Sequence, residues 1–246
     1  LEDISMTDNF LHKTNLITAV SDNDFEKFVK FMDVDDVNQC DNTGFAPIHY
    51  AVALNANTRI LEMLIGMDAN VNQEVSYRIG VETLTPLIMS IQNNFNAAAK
   101  LLITAKADVN KTHEERYKSY LSESPLHIAV ANNNYEIAQT LLENGADVNS
   151  EKKLYNKIQF ALHIAVAQNN LAMVELLLNN GANYLLKDSD GNLPRDIARN
   201  PDIINFMDNF SFQKVQAIAS LETKEETKNF KCEKIYPQHC NLQLVG

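Results

Sequence analysis

Short apolar runs recur along the chain with the spacing of one helix face. In four of them the apolar positions lie three or four residues apart, and they are Ile60, Leu61 and Leu64; Ala98, Leu101 and Leu102; Ile137, Leu141 and Leu142; and Val174, Leu177 and Leu178. A second short apolar segment precedes each run. None of these runs approaches the roughly 20 residues that span a bilayer. The pattern predicts pairs of short helices that share a continuous core.

Two sequence phrases recur around these helices in a fixed order. The opening phrase reads APIHYA at residues 46–51, TPLIMS at 85–90, SPLHIA at 124–129 and FALHIA at 160–165. The closing phrase reads DANVN at residues 68–72, KADVN at 106–110, GADVN at 145–149 and GAN at 181–183. This combination resembles the ankyrin repeat. The resemblance implies an all-α solenoid of helix-turn-helix repeats, joined by β-hairpin loops, that binds other proteins.

Degenerate copies extend the array in both directions, to residues 14–19 and 188–194. We therefore expect about six repeats over residues 14–210, with polar terminal copies as caps, and an acidic flank at residues 1–13. The C-terminal extension covers residues 211–246. Its apolar residues at helical spacing predict a capping helix over 211–221, with residues 230–246 ordered only against the repeats or a partner; a disordered tail is the alternative.

Local residue types explain the predicted helix boundaries. Pro47, Pro86, Pro125 and Pro194 stand where the first helical turn needs no N–H, and Thr85 and Ser124 are natural N-caps. In the repeat that begins at residue 160, Phe160 and Ala161 replace the N-cap residue and the proline, and this weakens the start of that helix. Asparagine tolerates the left-handed conformation that ends a helix, and it recurs at Asn23, Asn55, Asn94, Asn133 and Asn169. Asp68 and Lys106 stand where Gly145 and Gly181 stand, so we expect strain of about 1 kcal/mol there and a softer second and third repeat.

Composition narrows the classes of function. The 246 residues carry a net charge of −11, which argues against a nucleic-acid partner. Residues 1–41 alone contain ten acidic and three basic residues, forming either a solvated cap or an electrostatic docking face. Three cysteines are too few for a disulfide framework, and the N-terminus lacks the pattern of a secretory signal. A soluble, cytoplasmic protein is expected, without a membrane partner and monomeric when alone.

The histidines do not predict an active site. His49, His127 and His163 share the fourth position of the opening phrase, where the histidine of the ankyrin family hydrogen-bonds between neighbouring turns. His12 and His113 have no second ligand at metal spacing, and Cys232, His239 and Cys240 lack a pairing motif for zinc. The sequence contains no glycine-rich phosphate loop. We predict a protein that is not an enzyme and uses no cofactor or metal.

Three connections are longer than the 33-residue ankyrin period allows, because the asparagines at the helix ends recur at intervals of 32, 39, 39 and 36 residues. They cover residues 73–84, 111–123 and 150–159, and each places tyrosine beside a cation. Tyrosine and arginine are enriched in interface hot spots. The predicted partner-binding residues are Tyr77, Arg78, Arg116, Tyr117, Lys118, Tyr120, Lys153, Tyr155 and Lys157 on these loops, with Gln92, Asn93, Asn132 and Gln168 on the concave wall. Alternatively, the tyrosines only cover the hairpin bases.

These observations favour a protein–protein interaction module that binds through the concave groove and the tyrosine-bearing hairpins. An adaptor whose flanks recruit separate machinery, such as a ubiquitin ligase, is the alternative; an enzyme in the short C-terminal segment is disfavoured. The chain is rich in asparagine, which AT-rich coding DNA produces. By analogy with ankyrin proteins of intracellular bacteria and viruses, we hypothesise an effector in the host cytosol.

Overall fold

Pairs of short α-helices follow one another along most of the chain. The computed structural model describes residues 15–53, 58–77, 82–115, 121–154, 157–211 and 213. Residue contacts divide the chain into two units, Leu1–Ile197 and Ala198–Gly246. The predicted domain boundaries at residues 13 and 210 stay predictions.

The first unit contains, in its described part, five helix pairs. The inner helices are α1 (Asn15–Ser21), α3 (Pro47–Ala53), α5 (Pro86–Gln92), α7 (Pro125–Ala131) and α9 (Ala161–Ala167). The outer helices are α2 (Phe25–Phe31), α4 (Thr58–Gly66), α6 (Asn96–Thr104), α8 (Tyr135–Glu143) and α10 (Leu171–Asn179). Each inner helix packs against its own outer helix and against the next inner helix. The predicted all-α solenoid is confirmed, including the degenerate first pair.

The three lengthened connections are β-hairpins, and together they form one antiparallel sheet. Its six strands within the described residues are β1 (Val75–Tyr77), β2 (Glu82–Leu84), β3 (His113–Glu115), β4 (Leu121–Glu123), β5 (Lys152–Leu154) and β6 (Lys157–Gln159). The strands lie in sequence order, so neighbouring hairpins also pair with each other. Strands β2, β4 and β6 each end two residues before an inner helix begins. The hairpins are therefore anchored directly to α5, α7 and α9.

A ladder of asparagine side chains ties the bases of successive connections together. In each rung a carboxamide oxygen accepts the backbone N–H of a residue in the following repeat at 2.7 or 2.8 Å. The pairs are Asn38 with Asn70, Asn72 with Asp108, Asn110 with Asp147, and Asn149 with Asn183. At the next position the ladder residue is Leu185, which is exposed and cannot form this bond. The ladder thus explains why one asparagine recurs in the closing phrase.

The predicted helix starts are confirmed where the sequence supplies a cap. The hydroxyl oxygen of Thr85 accepts the Ile88 N–H at 3.3 Å. That of Ser124 accepts the His127 N–H at 3.4 Å, and the His127 ring accepts the Ser124 N–H in return. Phe160, by contrast, makes no side-chain capping bond. The start of α9 therefore depends on packing, since Phe160 and Ala161 are both buried.

The predicted left-handed helix ends are confirmed in the described residues. The φ angles are 53° at Asn23, 57° at Asn94, 54° at Asn133 and 56° at Asn169, whereas Asn55 lies outside the described residues. After the outer helices, Asp68 and Lys106 take φ angles of 60° and 68°, and Gly145 and Gly181 take 87° and 89°. Asp68 and Lys106 therefore hold a conformation that favours glycine.

The sixth repeat begins differently from the prediction. The segment after Leu193 forms a short 3₁₀ helix, Pro194–Ile197, where the opening phrase predicts an inner α-helix. Inner helices α3, α5, α7 and α9 are each seven residues long, whereas this turn ends after four. The chain then starts a new helix at Pro201, and proline is favoured at the first helical position.

In the second unit, the described residues include a helix over residues 201–211. The rings of Phe206 and Phe210 stack on it, with centroids 6.2 Å apart. The predicted capping helix at 211–221 lies outside the described residues except for 211 and 213. Nowhere in the described ranges is a helix both long and apolar enough to cross a membrane.

Candidate partner-binding surface

One row of positions runs along the inner helices and includes their exposed ends. Residues three apart share a helix face, and one such pair recurs on four helices. The pairs are Tyr50 and Ala53 on α3, Met89 and Gln92 on α5, Ile128 and Ala131 on α7, and Ile164 and Ala167 on α9. We call these eight residues the inner stripe.

The second member of each inner-stripe pair is more exposed to solvent than the first. Its second members, from Ala53 to Ala167, are all exposed, and Tyr50 and Ile164 are half-buried. Met89 and Ile128 retain 7% and 5% exposure, while Ile88 and Val130 beside them retain none. On α1 the corresponding positions are Thr18 and Ser21. The apolar part of the stripe is therefore confined to four repeats.

The wall that carries the inner stripe is uncharged. Helices α1, α3, α5, α7 and α9 contain no aspartate, glutamate, lysine or arginine. Burial lowers the pKa of His49 and of His163, and burial together with the charge of Lys152 lowers the pKa of His127 to about 4. These imidazoles are neutral at physiological pH. A bound surface facing the stripe must also be uncharged there, because an unpaired charge is costly to bury.

The three repeat histidines are buried, with exposures of 0% or 1%. His49 accepts the Ala46 N–H at 3.0 Å and donates to the Gln73 carbonyl at 2.9 Å, and His163 donates to the Asn192 carbonyl at 3.1 Å. The predicted burial of these residues is confirmed. The bonds of His49 and His163 join an inner helix to the connection that follows, whereas His127 bonds Ser124 at the start of its own helix.

The predicted wall residues divide into two kinds. Gln92 is exposed at the end of α5 and belongs to the inner stripe, and Asn93 donates to the Met89 carbonyl in its own turn at 2.9 Å. Asn132 donates to the Ile91 carbonyl at 3.0 Å, and Gln168 donates to the Ala131 carbonyl at 2.8 Å. The side-chain amides of Asn132 and Gln168 thus connect neighbouring inner helices by hydrogen bonds.

The structure describes only part of the predicted hairpin cluster. The strand register pairs Tyr77 with Glu82. Lys153 and Lys157 are exposed and lie 3.5 Å from Glu151 and 3.2 Å from Asp190. Exposed ion pairs of this kind are weak and exchange readily. The remaining predicted loop residues lie outside the described residues, namely Arg78, Arg116, Tyr117, Lys118, Tyr120 and Tyr155.

Sequence reasoning placed Gln92 of the inner stripe on the concave wall, but it missed the first members of the stripe and one ion pair. Tyr50, Met89, Ile128 and Ile164 occupy the fifth position of the opening phrase, where an apolar residue looks like core. Glu123 and Lys152 form a contact of 2.7 Å between the second and third hairpins, with side chains only 16% and 17% exposed. The sequence feature that could have predicted this ion pair is an acidic residue at the end of one hairpin followed by a basic residue at the start of the next hairpin.

The acidic N-terminal segment has structural partners in its described part. Asp35 accepts the Leu16 N–H at 2.8 Å, and Asp24 caps α2 by accepting the Lys27 N–H at 3.0 Å. Asp41 is buried and accepts bonds from Thr43, Phe45 and Tyr50. Whether the remaining acids form a docking face stays a prediction.

No cluster of three or more histidine, cysteine, aspartate or glutamate side chains is arranged to hold a metal among the described residues. The zinc candidates Cys232, His239 and Cys240 lie outside them.

Comparison with known proteins identifies the family. A model described as ankyrin repeats (3 copies) matches residues 53–152, and another described as ankyrin repeats (many copies) matches residues 154–198. The chain belongs to the ankyrin-repeat family. Ankyrin repeats are a general protein–protein interaction module, and this chain shares that architecture.

Several curated proteins are similar in sequence. Neurogenic locus notch homolog protein 1 of Xenopus laevis is 38% identical over 182 residues, which cover 73% of this chain and 7% of that protein. Neurogenic locus notch homolog protein 2 of Homo sapiens is 33% identical over 46% of this chain and 4% of its own length. Alpha-latroinsectotoxin-Lt1a of Latrodectus tredecimguttatus is 31% identical over 48% of this chain and 8% of its own length. The chain thus spans less than a tenth of these relatives.

Proposed function

We propose that this ankyrin-repeat chain binds a protein partner through the inner stripe and the adjoining hairpins, without a catalytic step of its own. The uncharged inner stripe is the observation that carries the proposal. Its exposed members are small or uncharged, and Tyr50 and Ile164 are half-buried; depletion of charge at the centre of a patch is typical of protein interfaces.

The hairpins extend this surface. Each is anchored two residues before an inner helix, and the shared sheet fixes the spacing between hairpins. We expect the tyrosines that the sequence places on these hairpins to act as hot-spot anchors. We place the complex in a reducing cytoplasm, in a host cell if the chain is an effector.

Site-specific crosslinking tests the proposal. A photoreactive amino acid at position 131, in the inner stripe, should crosslink a partner from cell lysate. The same amino acid at position 172 provides a matched control, because Ala172 is an exposed alanine on outer helix α10. Equal crosslinking at both positions, or crosslinking at 172 alone, refutes binding at the stripe.

A further inference from the structure

The outer helix of the first repeat has an exposed apolar flank. Val29 on α2 is 43% exposed, and Val34 just beyond the helix is 73% exposed. Residues three or four apart share a helix face, so Phe25, Val29 and Met32 lie along one side of α2. Phe25 and Met32 are half-buried. Apolar side chains that remain together at the surface are typical of protein contact sites.

This flank of α2 faces the next outer helix. The Arg59 guanidinium of α4 lies over the Phe25 ring, 4.2 Å from its centroid. Met63 follows Arg59 by one helical turn, and the Met67 N–H donates to the Met63 carbonyl one further turn along the chain. Both methionines are half-buried, so the sides of α2 and α4 that face each other are largely apolar. We call five residues the outer patch: Phe25, Val29, Met32, Met63 and Met67.

The corresponding positions between two later outer helices are polar. Two and six residues after the left-handed asparagine of the repeat, α2 has Phe25 and Val29. At the same two positions α6 has Asn96 and Lys100. Asn96 donates to Glu136 of α8 at 2.8 Å, and Lys100 forms an ion pair with the same carboxylate. The outer patch cannot form this polar bridge, and α2 packs mainly against α1, whereas α6 packs against both α5 and α8.

An acidic edge adjoins the outer patch at the C-terminal ends of α2 and α4. The Asn38 side chain donates to the Asp68 carbonyl at 3.2 Å, so the segments that follow the two helices lie together. Asp33, Asp36 and Asp68 are exposed there. Residues 22–36 contain six acidic residues and two lysines. Basic groups of a partner are therefore attracted to this edge.

The cationic residues described on the hairpins do not neutralise the acidic edge, because each has an acidic partner of its own. The ion pairs are Lys111 with Glu74, Lys152 with Glu123, Lys153 with Glu151, and Lys157 with Asp190. Arg59 is held over the Phe25 ring, at the end of the outer patch that lies away from Asp68.

We propose that the outer patch binds a short amphipathic α-helix of a protein partner, with lysine or arginine at the end that lies over Asp33, Asp36 and Asp68. Such a helix presents apolar side chains at three- and four-residue spacing, which is the spacing within the patch. Methionine side chains adapt to the shape of a partner. The seven residues of α2 span about 10 Å, so about two turns of the partner helix contact the patch. This site is separate from the inner stripe and does not depend on binding there.

Peptide titrations against the full chain test this inference. The probe is a fourteen-residue alanine-based helix with leucines at three- and four-residue spacing on one face and three lysines at one end. The first control has the same composition with its leucines distributed around the helix, and in the second control glutamates replace the lysines. The probe should bind at least about tenfold more tightly than either control. Equal binding of the first control overturns the apolar contact, and equal binding of the second overturns the role of the acidic edge.

A matched pair of variants locates the site. Val29→Lys gives α2 the residue type that α6 has at this position, and Gln139→Lys makes the same change at the corresponding exposed position of α8. Each variant gains one positive charge, and circular dichroism should show that both fold. Val29→Lys should weaken binding of the probe at least about tenfold, whereas Gln139→Lys should leave it unchanged. Equal effects of the two substitutions overturn the site.

A photoreactive amino acid at position 29 distinguishes the possible occupants of the outer patch. With the probe present, this position should crosslink to the peptide. A crosslink to residues 1–14 of the same chain, or to a second copy of the chain, in place of the peptide overturns the proposal, because the patch would then be covered without a partner.

Discussion

Replacing Lys106 by glycine should stabilise the array. Lys106 is exposed and holds a φ of 68° after α6, where an L-residue is disfavoured by about 1–2 kcal/mol. Glycine removes that strain but adds about 0.5–1 kcal/mol of unfolded-state entropy. The free energy of unfolding should therefore rise by about 0.5–1 kcal/mol for Lys106→Gly, and the melting temperature by about 1–4 °C.

The opposite substitution one repeat later provides the matched control. Gly145 has a φ of 87°, and a Cβ placed there meets no atom within 4 Å. Gly145→Ala should therefore lower stability through the backbone alone, by a similar amount. Urea unfolding at constant m-value measures both changes. A decrease for Lys106→Gly, or no change for Gly145→Ala, would show that the left-handed turns are not the strained positions we infer.

Three further predictions follow from the buried polar groups and the hairpins. His127→Ala should cost about 1–2 kcal/mol and a few degrees in melting temperature through lost buried hydrogen bonds; an activity lost at unchanged stability would contradict its structural role. Alanine at Tyr77, Tyr117 and Tyr155 together should weaken partner binding by at least about 2 kcal/mol at unchanged helicity, and wild-type affinity would exclude the hairpins. Burial alone would raise the pKa of Asp41, but hydrogen bonds from Thr43, Tyr50 and Phe45 lower it below 3.8. The ionised Asp41 carboxylate therefore stabilises the fold above its ordinary pKa, and this stabilisation is lost as the pH falls through the lowered pKa. Asp41→Asn should reduce the acid sensitivity of the free energy of unfolding measured in urea. An unchanged dependence of that free energy on pH would contradict this prediction.

The sequence predicts those features of the fold that depend on one repeat alone. The hydroxyls of Thr85 and Ser124 cap helices as expected. The left-handed conformation is found at Asn23, Asn94, Asn133 and Asn169. In each case the backbone needs a particular residue type at one position, so a recurring residue reveals the local geometry.

Features that depend on two repeats are harder to predict. The pairing of β2 with β3 and of β4 with β5 joins residues about 30 positions apart, and no local pattern specifies it. Asn132 and Gln168 look like surface amides in the sequence, yet they bond the preceding inner helix. The 3₁₀ helix at Pro194 also differs from the expected inner α-helix, and nothing in its opening phrase indicates the difference.

The two ends of the array differ chemically from its middle, and this difference defines the extent of the binding surface. At the N-terminal end the stripe positions become Thr18 and Ser21, which cannot continue an apolar contact. At the C-terminal end the asparagine ladder stops at Leu185, and the next inner segment is only a short 3₁₀ helix. A ladder bond aligns each connection with the next, so this alignment ends at the bond between Asn149 and Asn183, and the apolar row ends at α9. We therefore expect the partner footprint to be centred on α5 and α7, whose exposed stripe residues Gln92 and Ala131 have stripe neighbours on both sides, and we expect substitutions there to weaken binding more than those at Ala53 or Ala167.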